Sequence, residues 1–466
     1  MKKLMKKLTG SLLVLAMAAA LFSGCSDKKE TSTADNTKAT AAPTAVATEA
    51  ADAGDAAAVF EDKDPSSYSG TITIWAWDKA SEDKVVAEFN KVYPNIKVEV
   101  VSVGYSDYIN KVQTALAGGG ELPDIIKAEY GFRAQMQGLD VFDYLDQAPY
   151  TLDTSNIMDY EIPVSSYSGH IVGIENSVNT AGFAYKKDLA EKYLGTSDPA
   201  ELQAMFTTWD DYINKGKEVY DASSGTVNLI ASWGDMSDYL YNWGDNALTE
   251  NNKATDYLLN TLPDKRYDLL QKMFADNTVD KNIAQIYDAS YLKSYSDQNH
   301  IFYLCSTWHK TAYIDSNDGE NNGNWRIITP PDGPINLGGT NDGIWKDSPN
   351  KELAWQYIKW ISLSTDGGNA CIKARGYYIP YKPFINEHDF SADMDPFFGD
   401  QNTAQLFAKD MAADVLVRQP EIYFNQIKTS FETVEIALMQ DLSISKEDYK
   451  KLLKQEIMNN CPDLEW

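Results

Sequence analysis

The run Thr71-Ile72-Thr73-Ile74-Trp75 is rich in β-branched and aromatic residues and reads as a strand, followed by a loop at Trp77-Asp78-Lys79. Val85, Val86, Phe89 and Val92 then recur at helical spacing, with Ser81 as the expected N-cap. Ile96 to Val103 reads as a second strand. Tyr105, Tyr108, Ile109, Val112 and Leu116 mark a second helix that Gly118-Gly119-Gly120 stops, and Pro123-Asp124-Ile125-Ile126 opens a third strand. Strands alternating with helices imply a parallel sheet with right-handed crossovers. Ligands of such open sheets sit beyond the carboxyl ends of the strands. Trp77, Asp78, Glu129 and Tyr130 are therefore site candidates on pattern alone. Trp75 is expected on the side opposite Trp77, in the core.

A second α/β unit begins near Gly182, with Phe183-Ala184-Tyr185 as a short strand and helices over 187–193 and 209–220. The apolar run Ile301-Phe302-Tyr303-Leu304 ends at Ser306-Thr307-Trp308. Asp315 to Gly343 is rich in Gly, Pro and Asn and reads as loop. Lys351 to Leu363 has one apolar face (Leu353, Ala354, Tyr357, Ile358, Ile361), and helices follow at 401–417, 428–441 and 446–459, the last capped by Ser445.

The first 25 residues fit none of this. Lys2, Lys3, Lys6 and Lys7 precede an apolar stretch, Leu12 to Phe22, that is short of the roughly 20 residues a membrane span needs. It closes on Leu21-Phe22-Ser23-Gly24-Cys25, which resembles the lipobox of bacterial lipoproteins, in which the cysteine is diacylated and the chain is cut before it. Residues 1–24 are thus expected to be a signal peptide. Residues 25–68 are dominated by Ser, Thr, Ala, Asp, Glu and Lys, too few apolar side chains to pack, and form the expected lipid-anchored tether. The chain of 466 residues is long enough for two or three domains. Its formal charge of −27 disfavours nucleic acid and anionic membrane surface as partners. Four cysteines and four histidines, with no CxxC, exclude a disulfide scaffold and leave no zinc spacing.

No GxSxG, HExxH, Walker A or GxGxxG occurs. His309, alone beside Trp308, fits packing better than general-base catalysis. Asp315-Ser316-Asn317-Asp318-Gly319-Glu320 has its glycine in the wrong place for a calcium loop and reads as a turn. No catalytic residue, cofactor or metal site is expected.

Five stretches in order carry a resemblance: Gly70 to Asp78, Phe89 to Val98, Ala117 to Ile125, Asn179 to Leu189, and Gly338-Gly339-Thr340 followed by Ser348 to Trp355. Together they are similar to the family 1 solute-binding proteins of ABC sugar importers, the group that includes maltose-binding protein. The resemblance implies a two-lobed α/β periplasmic-binding-protein-like fold with an interlobe cleft and hinge crossings. One lobe would be 69–179 plus 338–390, the other 180–337 plus 391–466. It adds Asn179, Trp308, Gly339, Thr340 and Arg375 to the ligand-contact candidates and leaves the stretch from Trp233 to Trp243 without a role. It implies a monomer that takes a mono- or oligosaccharide to ABC permease subunits and is held by Cys25 on the outer face of the cytoplasmic membrane. Pyranose faces stack on Trp and Tyr, and rim hydroxyls need paired polar groups. The rivals are a surface-tethered glycosidase, whose two carboxylates only geometry can identify, and a binder of a peptide or polyamine.

Overall fold

The computed structural model describes residues 58–249, 251–283 and 285–466, so the leader, Cys25 and most of the expected tether lie outside the described residues. Ten strands organise it: β1 (Gly70–Ala76), β2 (Ile96–Ser102), β3 (Ile125–Glu129), β4 (Ile174–Glu175), β5 (Thr180–Lys186), β6 (Asn228–Ile230), β7 (His300–Ser306), β8 (Trp325–Ile328), β9 (Ile335–Asn336) and β10 (Thr340–Ile344). The first sheet has the order β2-β1-β3-β10-β4, with β1 parallel to β2 and β3, and β10 antiparallel to both β3 and β4. The second has the order β8-β5-β7-β6, with β9 also pairing β5. The backbone passes between the sheets from Glu175 to Thr180 and returns from Asn336 to Thr340. Each sheet has its own apolar core: Ile72, Ile74, Phe89 and Ile361 are buried with the first, and Phe183, Phe206, Tyr239 and Phe302 with the second. This is the expected two-lobed α/β architecture.

The helices follow the apolar spacing closely. Lys79–Val92 buries Val85 and Phe89, Tyr108–Ala117 buries Tyr108 and Val112, and Lys351–Leu363 turns Ala354, Tyr357, Ile358 and Ile361 inward. Ser445 caps Lys446–Asn460, accepting from Asp448 N–H at 3.1 Å.

Four local expectations change. The first helix starts at Lys79, and its N-cap is Asp78, whose Oδ1 accepts from Ser81 N–H at 3.2 Å; the aspartate three residues earlier caps one turn sooner than Ser81 can. Trp75 is half-buried, not core. Residues two apart in a strand share a face, so Trp75 and Trp77 both meet Tyr108, at 6.5 and 5.3 Å between ring centres, and Lys111 Nζ covers Trp75 at 4.3 Å. Residues 60–68 are docked rather than free: Phe60 N–H donates to Pro149 O at 2.9 Å, its ring meets Tyr150 edge-on at 5.6 Å, and Lys63 pairs with Glu352 at 2.6 Å. The supposed loop from Asp315 to Gly343 contains β8, β9 and most of β10. There Trp325, Ile327 and Ile328 are buried against β5 despite their Gly- and Asn-rich flanks.

Cys305, Cys371 and Cys461 are free, buried thiols. Trp233–Asn242 is a wholly buried helix whose Asp235 accepts from Tyr291 O–H at 2.6 Å, so that stretch is structural. Among the described residues no helix is long and apolar enough to cross a membrane, and no cluster of His, Cys, Asp and Glu could hold a metal ion.

Candidate functional site

A cavity of about 560 Å³ lies where the two sheets and both crossings meet. From the first sheet, Trp77 and Asp78 reach it because β1 ends at Ala76 and the helix begins at Lys79, which leaves both in the connecting turn. The Trp77 ring is held edge-on by Tyr105 at 5.6 Å and Phe132 at 6.2 Å. Glu129 closes β3 and caps the next helix: its Oε2 accepts from Gly131 N–H and Tyr105 O–H, both at 2.8 Å. Burial raises its pKa above the ordinary carboxylate value.

The floor is a buried ionic network. Glu82 accepts from Arg375 Nη2 at 2.6 Å and from Tyr357 O–H at 2.8 Å, while Lys127 Nζ lies 3.2 Å from Glu82 and 2.8 Å from Asp342. Burial works against ionised Glu82, but the two cations outweigh it and hold the carboxyl at about 2. Helix Thr365–Arg375 stops at Gly376 in the left-handed region, φ +71°, which presents Arg375 and Tyr377 to the cavity.

The second sheet contributes Trp308, in the short helix Thr307–His309 directly after β7, with its Nε1–H donating to Leu337 O at 2.9 Å. Tyr287, Ala312 and Tyr313 complete that wall, and Tyr287 stacks on Tyr313 with ring centres 4.9 Å apart. Asn176, Ser177 and Asn179 line the cavity from one crossing and Gly338 and Gly339 from the other, with Thr340 following at the start of β10. Gly339, at φ +110°, has no room for a side chain: a Cβ would fall 2.5 Å from Glu175 Oε1.

Behind the crossings one guanidinium serves several acceptors. Arg133 is fully buried and donates to Glu175 Oε2 at 2.8 Å, Gly339 O at 2.9 Å, Ala128 O at 3.0 Å and Val164 O at 3.2 Å. Burial nevertheless raises Glu175 to about 7, and burial together with the charge of Glu175 holds Glu161 well above its usual value.

Of the nine ligand-contact candidates read from the sequence, Trp77, Asp78, Glu129, Asn179, Trp308, Gly339, Thr340 and Arg375 line this one cavity. Tyr130 does not. Its hydroxyl donates to Arg418 O at 2.7 Å and its ring packs edge-on against Phe424 at 5.2 Å, because the helix that begins there turns its first side chain into the core. His309 is buried and outside the cavity lining, and desolvation pushes its imidazole down to about 3, so the ring is neutral. The sequence reading missed Tyr105, Asn176, Ser177, Tyr287, Tyr313 and Tyr377. Tyr287 and Tyr313 stand in stretches without strand or helix periodicity and carry no signal. Glu82 and Lys127 left a faint one, a charge at an inward position of an otherwise apolar element.

The comparisons bear on the family and the fold. The family model for bacterial extracellular solute-binding proteins matches residues 84–398, and the chain belongs to that family. No curated protein matches the sequence. A family 1 extracellular solute-binding protein superposes with a TM-score of 0.74 at 17% identity, covering 84% of this chain and 99% of its own. The sugar-binding protein MalE of Xanthomonas citri follows at 0.68 and 18%, covering 84% and 97%. The galacto-N-biose-/lacto-N-biose I-binding protein of Bifidobacterium longum gives 0.66 and 16%, covering 86% and 99%.

Proposed function

We propose that the chain captures a mono- or oligosaccharide in this cavity and delivers it to the permease of an ABC transporter, anchored through Cys25 to the outer face of the cytoplasmic membrane. The observation that carries the reading is the pairing of aromatic walls, Trp77, Tyr105 and Tyr377 on one side and Tyr287, Trp308 and Tyr313 on the other, with Asp78, Glu129, Asn176 and Asn179 between them. Aromatic faces take the C–H surface of a sugar ring, and the carboxylates and amides take its hydroxyls. A volume of about 560 Å³ is within the usual range for small-ligand sites. Solved proteins of the same fold are described with acarbose, β-1,6-galactobiose, lacto-N-biose, maltose and tagatose. In this reading 69–179 plus 338–390 and 180–337 plus 391–466 are the moving lobes. Ligand contacts made by both favour the closed arrangement.

A thermal-shift screen over those five sugars tests the ligand class. Binding at 100 times Kd adds about 2.7 kcal/mol of stability and raises the melting temperature. A shift with a polyamine or peptide and none with any sugar rejects the reading, and new reducing ends released from a glycan would make the protein a hydrolase. Cys25→Ala tests the anchor: the protein should leave the membrane with its sugar affinity unchanged, and continued membrane association contradicts the lipobox.

A further inference from the structure

Tyr287 holds an unusual place in the cavity wall. Its backbone is in the left-handed region at φ +69°, which L side chains seldom adopt, and its ring is fixed by the stack on Tyr313. Its hydroxyl lies 2.6 Å from Nε2 of His309. The other nitrogen of that imidazole, Nδ1, faces the backbone N–H of Ser306 at 3.2 Å and Ser306 Oγ at 2.8 Å. A backbone N–H can only donate, so Nδ1 must be the nitrogen with the free lone pair. A neutral imidazole with bare Nδ1 carries its proton on Nε2, and that proton is donated to the Tyr287 oxygen. Burial, which keeps the ring neutral, closes the alternative in which both nitrogens are protonated. The phenolic proton of Tyr287 is then left over, with no protein acceptor among the described residues.

We propose that His309 is a positioning residue that locks Tyr287 as a hydrogen-bond donor to the cavity, so that a ligand must place an acceptor oxygen opposite it. The proposal rests on the carbohydrate reading and sharpens it. An ionised carboxylate such as Asp78 accepts only, and so asks the ligand for donors. Tyr287, across the cavity, asks for an acceptor. A sugar supplies both, because its hydroxyls donate and accept and its ring and glycosidic oxygens accept. A protonated polyamine carries donors alone: it satisfies the carboxylates and leaves Tyr287 unpaired, at the cost of an unmade buried hydrogen bond. The site thereby discriminates against the cation that its negative charge would otherwise attract.

Neutron diffraction from a crystal of the perdeuterated protein, without added ligand, reads the lock directly. The expected result is deuterium on Nε2 of His309, none on Nδ1, and the Tyr287 hydroxyl deuterium directed away from the imidazole. Deuterium on Nδ1, or a Tyr287 deuterium on the line to Nε2, overturns the proposal whatever the protein binds. A long-range ¹H–¹⁵N correlation spectrum gives the same answer in solution, with the signal assigned by its loss in His309→Gln. In the functional arm, Tyr287→Phe is titrated with the five sugars above and with spermidine. The variant should weaken each sugar that binds by about three- to tenfold and leave spermidine unweakened. Equal losses for sugar and spermidine would reduce Tyr287 to a packing residue and overturn the specificity role. Failure of every sugar to bind the wild-type protein would instead reject the carbohydrate reading, with the neutron result still deciding the tautomer.

Discussion

Replacing Arg133 by methionine tests how the two crossings are held together. The substitution keeps the length of the stem and removes the only cation bonded to Glu175 among the described residues. Two losses follow. The first is independent of pH: the carbonyls of Ala128, Val164 and Gly339 lose their guanidinium bonds, at about 1.5–3 kcal/mol for a hydrogen bond to a charged group. The second depends on pH. In the wild-type protein Glu175 titrates at about 7 in the folded state, above the unfolded value of 4.5. Its contribution is therefore fully present below pH 4.5 and lost as pH rises to 7, and above that it is ionised in both states and gives no slope. Without the guanidinium, Glu175 stands near Glu161 and Glu129 uncompensated, and its folded-state pKa climbs further. The folded variant then keeps a proton that the unfolded chain has released, and loses about 1.4 kcal/mol of stability per pH unit above 7. Urea unfolding at pH 6, 7, 8 and 9 should show the gap between the two proteins widening by about 2–3 kcal/mol from pH 7 to 9. The double variant Arg133→Met/Glu175→Gln should restore parallel curves. Parallel curves for the single variant would refute the assignment of Glu175 as the group that Arg133 holds ionised.

Trp308→Ala should weaken sugar binding by about five- to thirtyfold, the part of a large aromatic's burial that only the ligand completes. Isothermal titration measures this, and an unchanged affinity removes Trp308 from the site. Gly339→Ala must place a Cβ 2.5 Å from Glu175 Oε1 at φ +110°, and urea unfolding should show a loss of about 2–4 kcal/mol. Asp78→Ala should act twice: loss of the helix cap costs about 1 kcal/mol of stability, and loss of a charged hydrogen bond weakens sugar binding by more than about tenfold. Asp78→Ser, which can still cap, should recover most of the stability and little of the affinity.

What the sequence revealed follows the reach of its signals. Strands β1 and β2 and their helices were legible because each has one buried face and a clear stop, such as Gly118-Gly119-Gly120 after Ala117, and β3, buried on both faces, because it opens on the apolar pair Ile125-Ile126 just after Pro123. The cavity residues at strand ends, Trp77, Asp78 and Glu129, were legible for the same reason, since sheet topology alone sends them there. Trp308 and Arg375 needed the family resemblance. Tyr287 and Tyr313 were beyond both: Tyr287 stands in an irregular turn and Tyr313 in the helical stretch after Trp308, and both reach the cavity through long-range packing that no local pattern sets. Tyr130 shows the opposite failure. It stands one residue past a site carboxylate, yet the helix that begins with it carries its side chain to Phe424 and Arg418. The Arg133–Glu175 pair joins residues 42 apart in sequence, and no local pattern announces a buried ion pair.

The central claim is that the space between the two sheets is a carbohydrate site built from both walls. Isothermal titration of the best sugar from the thermal-shift screen into the wild-type protein, Trp77→Ala, Trp308→Ala and the double variant tests it most directly. One site per chain is expected in the wild type, with a loss in each single variant and no measurable binding in the double variant while its unfolding curve remains cooperative. Full-affinity sugar binding in a folded double variant would place the ligand elsewhere and rule out a carbohydrate site between the two sheets.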